Sequence, residues 1–156
     1  MAPIQHIYHY RLIDPWLATS GQPSEAQLRD IAEAGYGVVI NLALHDDPRY
    51  SLADEAGSAR ALGLDYIHIP VRFDAPSDAD LASFFAAMDA RRGKRIWVHC
   101  AANIRVTAFL GLYRVLRDGW AVPRAFEPMY DFWQPNAVWS AFIARALERG
   151  AVRDAY

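Results

Sequence analysis

Apolar positions recur along the chain at two alternating periods, one helical and one extended. After Ser24, Leu28 and Ile31 fall at helical spacing, Ser24 with Gln27 forms a capping-box pattern, and Gly35 supplies a stop. The stretch "GVVINLAL" (37–44) is then apolar without alternation, as a strand covered on both faces is. Ser51 is placed to cap a second helix with Leu52, Ala56, Ala59 and Leu62 inward, ending at Gly63, and "DYIHIPV" reads as the next strand. Ser77 with Asp80 marks another helix start, and Leu81, Phe84, Phe85 and Met88 share one face of a helix running to Gly93. "RIWVH" (95–99) follows as a strand, and residues 105–117 are apolar nearly all round, which predicts a helix buried in the middle of the fold. The tail from Val122 to Gly150 reads as one short and one longer helix divided near Pro135.

This alternation predicts an α/β fold of three layers, a mainly parallel central sheet flanked by helices. The 156 residues, 53% of them hydrophobic, contain no repeat and no linker, so a single domain over residues 1–156 is expected. In such sheets the binding crevice lies beyond the carboxyl ends of the strands. That puts the loops "HDDPRY" (45–50) and "RFDAPSD" (72–78) on the same side as the end of "RIWVH".

Charge narrows the partners. Sixteen basic against eighteen acidic residues leave a net charge of −2, with no stripe of one sign to bind nucleic acid. The densest basic cluster, Arg91, Arg92, Lys94 and Arg95, surrounds Gly93 and reads as a solvated turn. No apolar run approaches the roughly 20 residues of a membrane span, and the N-terminus lacks a signal-peptide pattern. A cytoplasmic protein without membrane contact is expected. The only cysteine, Cys100, allows no internal disulfide and suits a reducing compartment.

Cys100 carries the candidate chemistry. It stands where the last central strand ends, and a loop of small residues leads from it into the next helix. The backbone of Ala101, Ala102, Asn103 and Ile104 then offers unpaired N–H groups at the positive end of a helix dipole, a concavity that binds oxyanions. The same field favours a thiolate. The Arg105 guanidinium can hold two oxygens of a phosphate or sulfate at once. Asn103 is the commonest substitute for glycine where φ is positive, Thr107 is placed to turn its hydroxyl back toward the sulfur, and His99 is placed to tune the loop by hydrogen bonding.

"VHCAANIRVT" resembles the signature loop of the cysteine-based protein tyrosine and dual-specificity phosphatases: His-Cys, two variable residues, Gly, two variable residues, Arg, then Ser or Thr. "ATSGQPSEAQLRDIAEAGYGVVINL" is similar to the opening of a bacterial branch of small phosphatase-like domains, including those fused to metallo-β-lactamase-fold hydrolases. The resemblance implies a protein-tyrosine-phosphatase-like fold, no cofactor or metal, a phosphorylated protein or small phosphoester as substrate, and Cys100 as a nucleophile that becomes a phosphocysteine. It also implies a general acid in the loop after the preceding strand, with Asp74 the first candidate and Asp78 the second, and Thr107 as the group assisting hydrolysis. Against Asp74 stands the plain reading of a loop carboxylate paired with Arg72.

The arginine departs from this pattern. With Cys100 and Thr107 matched, Asn103 falls on the glycine and Val106 falls where the arginine belongs, so Arg105 is one position early. A one-residue shift turns a helical side chain by roughly 100°. The unshortened match is preferred because Asn103 and Thr107 keep their places; a loop shortened by one residue is the other description. Cysteine followed five positions on by arginine also resembles the loop of rhodanese-like sulfurtransferases, in which the cysteine carries a persulfide. A catalytically weak anion-binding relative is the third reading.

Other groups carry blander expectations. His45, Asp46 and Asp47 read as turn formers rather than metal ligands. His6 and His9 read as solvent-facing, and His68 as a hydrogen-bonded core or crevice residue. The aromatic set Trp120, Phe126, Tyr130, Phe132, Trp133, Trp139 and Phe142 reads as core and helix packing, with a homo-oligomer interface or a pocket wall as alternatives.

Overall fold

The computed structural model describes residues 4–154. Its five strands are β1 (Arg11–Asp14), β2 (Leu17–Ser20), β3 (Val38–Asn41), β4 (Asp65–His68) and β5 (Ile96–His99), in the spatial order β1-β2-β5-β3-β4. β1 pairs antiparallel with β2, while the β2–β5, β5–β3 and β3–β4 pairs are all parallel. β5 therefore lies at the centre, and Cys100, the residue after it, emerges in the middle of the sheet's carboxyl edge. The sequence reading missed the β1–β2 hairpin altogether.

Successive strand residues face opposite layers. Val38, Ile40, Ile96 and Val98 pack into one cluster, beside α3 (Asp78–Asp89), α4 (Ile104–Leu116) and α7 (Ala137–Asp154). Val39 and Trp97 face the other, beside α1 (Glu25–Glu33) and α2 (Glu55–Ala61). This is the three-layer α/β architecture expected, with α4 as the buried central helix: its residues from Val106 to Tyr113 are all buried.

Local signals account for most boundaries. Ser24 and Gln27 form the capping box, Gly35 takes φ +97° after α1, and the Ser77 side chain accepts from the Asp80 amide at the start of α3. For α2 the expected cap is corrected: Ser51 closes a 3₁₀ turn at Pro48–Tyr50, and Asp54 caps the helix, its carboxylate accepting from the Gly57 amide. Both residue types cap helices equally well, so the choice falls to packing. Of the apolar set expected, Ala59 is fully buried and Leu52 and Leu62 pack against the core in part, and Glu55 joins them as an unexpected fully buried residue.

The tail forms two single turns, α5 (Val122–Ala125) and α6 (Glu127–Tyr130), before α7. Trp139 and Phe142 are fully buried against Phe109 of α4, and Phe126 and Met129 complete that core, so these aromatics serve packing. Tyr130 is exposed. Among the described residues no helix is long and apolar enough to cross a membrane.

Candidate active site

Residues 100–103 form the turn between β5 and α4, and Asn103 takes the left-handed conformation expected of it, φ 63° and ψ 18°. Its side chain ties this strained position down: Nδ2 donates to the His9 carbonyl and to Thr19 Oγ1, both at 2.9 Å. The loop carbonyls are turned outward. Ala101 O accepts from the Gln22 amide at 3.0 Å, and Ala102 O accepts from His9 Nδ1–H at 2.8 Å. His9 is thus not a solvent-facing bystander but a clamp on the loop, stacked between Tyr8 and Phe132. In a planar trans peptide C=O and N–H point oppositely, so the outward Ala101 carbonyl sends the Ala102 amide to the other side. Among the described residues, the amides of Ala101, Ala102, Ile104 and Arg105 donate to no protein acceptor. The turn thus leaves these donors free at the start of α4, the kind of geometry an oxyanion site requires.

Gly21 makes this geometry possible. A Cβ there would lie 2.6 Å from the Ala101 carbonyl oxygen and 3.2 Å from the Ala102 Cα, so any side chain drives β2 and the loop apart. Gly21→Ala is expected to cost about 1–3 kcal/mol of stability, as overpacking does, and to lower turnover; a thermal melt with wild-type midpoint would show that the loop gives way freely.

Arg105 and Val106 exchange the roles their positions suggest. Val106, where the phosphatase pattern has its arginine, is fully buried in the core. Arg105 is half-buried on the site side, and its Nη1 donates to the Val71 carbonyl at 2.7 Å. Among the described residues it has no carboxylate partner. The helix phase favours the shortened-loop description over the preferred one. Thr107 is corrected accordingly: its one hydroxyl hydrogen is taken by the carbonyls of Asn103 (2.9 Å) and Ile104 (3.0 Å), leaving none for the sulfur. The Cys100 residue is fully buried at the base of the turn.

The Val71 carbonyl belongs to the segment leading to Asp74, and the Phe73 carbonyl accepts from Trp139 Nε1 at 2.7 Å. This anchors the candidate acid's loop to Arg105 and to α7. Asp74 itself is exposed and pairs with Arg72 at 2.9 and 3.0 Å; the Arg72 hydrogen bonds hold its carboxyl below the usual range. Asp78 pairs with Arg149 of α7 and lines a cavity of about 390 Å³ between α3, α4 and α7, which includes no residue of the Cys100 loop.

Sequence reading overlooked a buried pair behind the loop. Glu55 and His99 have fully buried side chains, with Oε2 and Nε2 2.6 Å apart. His99 Nδ1 faces the Cys100 carbonyl at 3.3 Å, and Gln22 Nε2 donates to Glu55 Oε1 at 2.6 Å. Burial pushes the Glu55 carboxyl up, but the charge and hydrogen bond of His99, with Gln22 and Tyr66, overcome this and hold it at about 2. The stability from this ionisation is complete above the ordinary value of 4.5 and is lost as pH falls toward about 2. Removing one partner of such a pair costs about 3–5 kcal/mol. The only signal in the sequence was a glutamate opening a short helix, which ordinarily reads as a dipole-favouring surface residue. His68 is hydrogen-bonded as expected, Nε2 donating to the Ala43 carbonyl at 2.7 Å, but it is exposed rather than in the core, and it stacks on His45.

A family model described as "Beta-lactamase hydrolase-like protein, phosphatase-like domain" matches residues 9–115, which run from the His9 clamp through the Cys100 loop into α4. The chain belongs to this phosphatase-like family. A beta-lactamase hydrolase-like protein of Xylella fastidiosa (strain Temecula1) is 33% identical over 109 residues, 69% of this chain. The chain spans about a quarter of that relative's length. The crystal structure of a DUF442 protein from Shewanella putrefaciens CN-32 superposes with a TM-score of 0.84 at 32% identity, covering 94% of this chain and 95% of that one. The active form of Tk-PTP shares the fold, with a TM-score of 0.73 at 22% identity over 98% of this chain and 99% of its own. The phosphatase-like domain therefore has the protein-tyrosine-phosphatase-like fold implied by its loop, and it carries the His-Cys pair with asparagine in place of the loop glycine.

Proposed function

We propose that this phosphatase-like domain is a cysteine-dependent phosphoester hydrolase. The observation that supports it best is the half-buried Arg105 guanidinium, without a carboxylate partner among the described residues, on the turn whose free amides follow Cys100. Such an arrangement leaves positive charge and donors uncompensated until an oxyanion arrives. In the proposed reaction the Cys100 thiolate attacks phosphorus in line, the bond to the leaving oxygen breaks, and that oxygen takes the proton of Asp74. Water then attacks the phosphocysteine, giving its proton to the Asp74 carboxylate, and inorganic phosphate leaves as the thiolate re-forms. The loop amides and Arg105 stabilise the equatorial oxygens throughout. Thr107, with its hydroxyl committed to α4, supports the first turn rather than the chemistry.

Phosphorylated proteins and small phosphoesters are the substrate classes. The test is turnover of an aryl phosphate alongside thiosulfate-dependent thiocyanate formation on one preparation. Phosphate release without thiocyanate is expected; the reverse would make Cys100 a sulfur carrier, and neither activity with retained phosphate binding would make the domain a binding module.

Asp74 must trade Arg72 for the leaving oxygen before it can give up a proton. Asp74→Asn is expected to lower turnover of an alkyl phosphate by roughly 10²–10⁴-fold, the ordinary contribution of a general acid, and to remove the descending limb of the pH–rate profile. Arg72→Ala removes the partner that holds the carboxyl down, so the acid stays protonated to higher pH and that limb moves upward. An unchanged limb in both variants would take the acid role from Asp74.

A further inference from the structure

We propose that Glu55 is a positioning residue for the Cys100 loop, holding two consecutive loop carbonyls outward through two separate arms. One arm is His99, which bridges the Glu55 carboxylate and the Cys100 carbonyl. The other is Gln22, whose side chain donates to Glu55 while its backbone amide donates to the Ala101 carbonyl. Glu55 sits on α2, away from the loop in sequence, and nothing in the His-Cys signature points to it.

A carboxylate and a peptide carbonyl can only accept, so the bridge is complete when both ring nitrogens donate, and in the proposed arrangement the imidazole carries both protons. A ring with a single proton would set a lone pair against one of two buried acceptors. An imidazolium fully buried at this position persists only beside a compensating carboxylate. The pair is neutral as a whole, but its positive end lies on the Cys100 side. It favours a thiolate there, and by turning carbonyls away it leaves the amide side of the loop for an anion. The other titratable groups at the pair are Tyr66, bonded to Glu55 and to Asn41, and Cys100 itself; the Arg60 charge acts on Tyr66.

The effect on turnover rests on the hydrolase reading above; the effect on the thiol does not. Cys100 is the only cysteine, so iodoacetamide reports on it alone. Glu55→Gln keeps the size of the side chain and removes its charge. The alkylation profile is expected to move up by about one pH unit, a tenfold fall in thiolate at a given pH, with kcat down about tenfold and KM little changed. Glu55→Asp is expected to recover part of both effects. A folded Glu55→Gln protein with the wild-type alkylation profile would reduce Glu55 to a space-filling residue and overturn the proposal. Should the variant not fold, ¹⁵N spectra of wild-type His99 decide the matter: protons on both ring nitrogens at pH 7 support the pair, and a neutral ring overturns it. A shifted alkylation profile in a domain that hydrolyses no phosphoester would keep the positioning role and discard the hydrolase reading.

Discussion

Cys100→Ser is expected to abolish phosphoester turnover while leaving phosphate binding within a few-fold of wild type. Serine matches cysteine in shape, so the substitution adds no bulk at this fully buried position at the base of the loop. What changes is the nucleophile. A thiol near a helix N-terminus ionises within reach of neutral pH, whereas a hydroxyl with no adjacent general base does not. Once covalent catalysis is lost only loop electrostatics and binding remain, and the fall should be on the order of 10³-fold or more. The free amides of Ala101, Ala102, Ile104 and Arg105 are backbone groups and survive the change. Calorimetry with inorganic phosphate and single-turnover assays with an aryl phosphate separate the two effects. Wild-type turnover in Cys100→Ser would remove the phosphocysteine, and loss of phosphate binding alongside activity would mean that the loop itself had collapsed.

The elements that were legible in the sequence are those whose signals are local. The capping box of α1, the Ser77 cap of α3, the apolar faces of both helices, the unalternating β3 and β5 and the all-apolar α4 depend on neighbours within a turn or two, and each forms close to where it was expected. The β1–β2 hairpin escaped because its strands, Arg-Leu-Ile-Asp and Leu-Ala-Thr-Ser, mix apolar with charged and hydroxyl residues, unlike the apolar runs of β3 and β5, and are joined by Pro15 and Trp16 alone. Ser51 and Asp54 compete as caps on equal terms until tertiary packing chooses. At the site, Asn103 was readable because a positive φ narrows the choice of residue. Glu55 was not, since its burial is decided by the docking of α2 on β5, a contact across 44 positions of sequence. His9 likewise meets the loop 93 positions away. The His-Cys loop was thus visible as a motif, while the groups that hold it in shape were not.

Helix phase, rather than counting, decides which way the early arginine faces. α4 begins at Ile104, so Arg105 occupies its first turn on the site side, and Val106, roughly 100° further round, points into the core. An arginine at 106 would bury an unpaired charge among apolar side chains. Arg105→Ala is therefore expected to lower kcat/KM by roughly 10²–10³-fold, the scale of one lost oxyanion donor. Arg105→Lys should recover little of it, because an ammonium cannot bridge two oxygens while also holding the Val71 carbonyl. The loss has a second source, since that carbonyl fixes the segment leading to Asp74. The double change Arg105→Val with Val106→Arg restores the spacing of the phosphatase signature, yet it should unfold the domain rather than improve it, as a denaturation curve will register. A folded and active double variant would show that the helix can rotate to follow its arginine, and an Arg105→Ala enzyme with full activity would leave the anion to the loop amides alone.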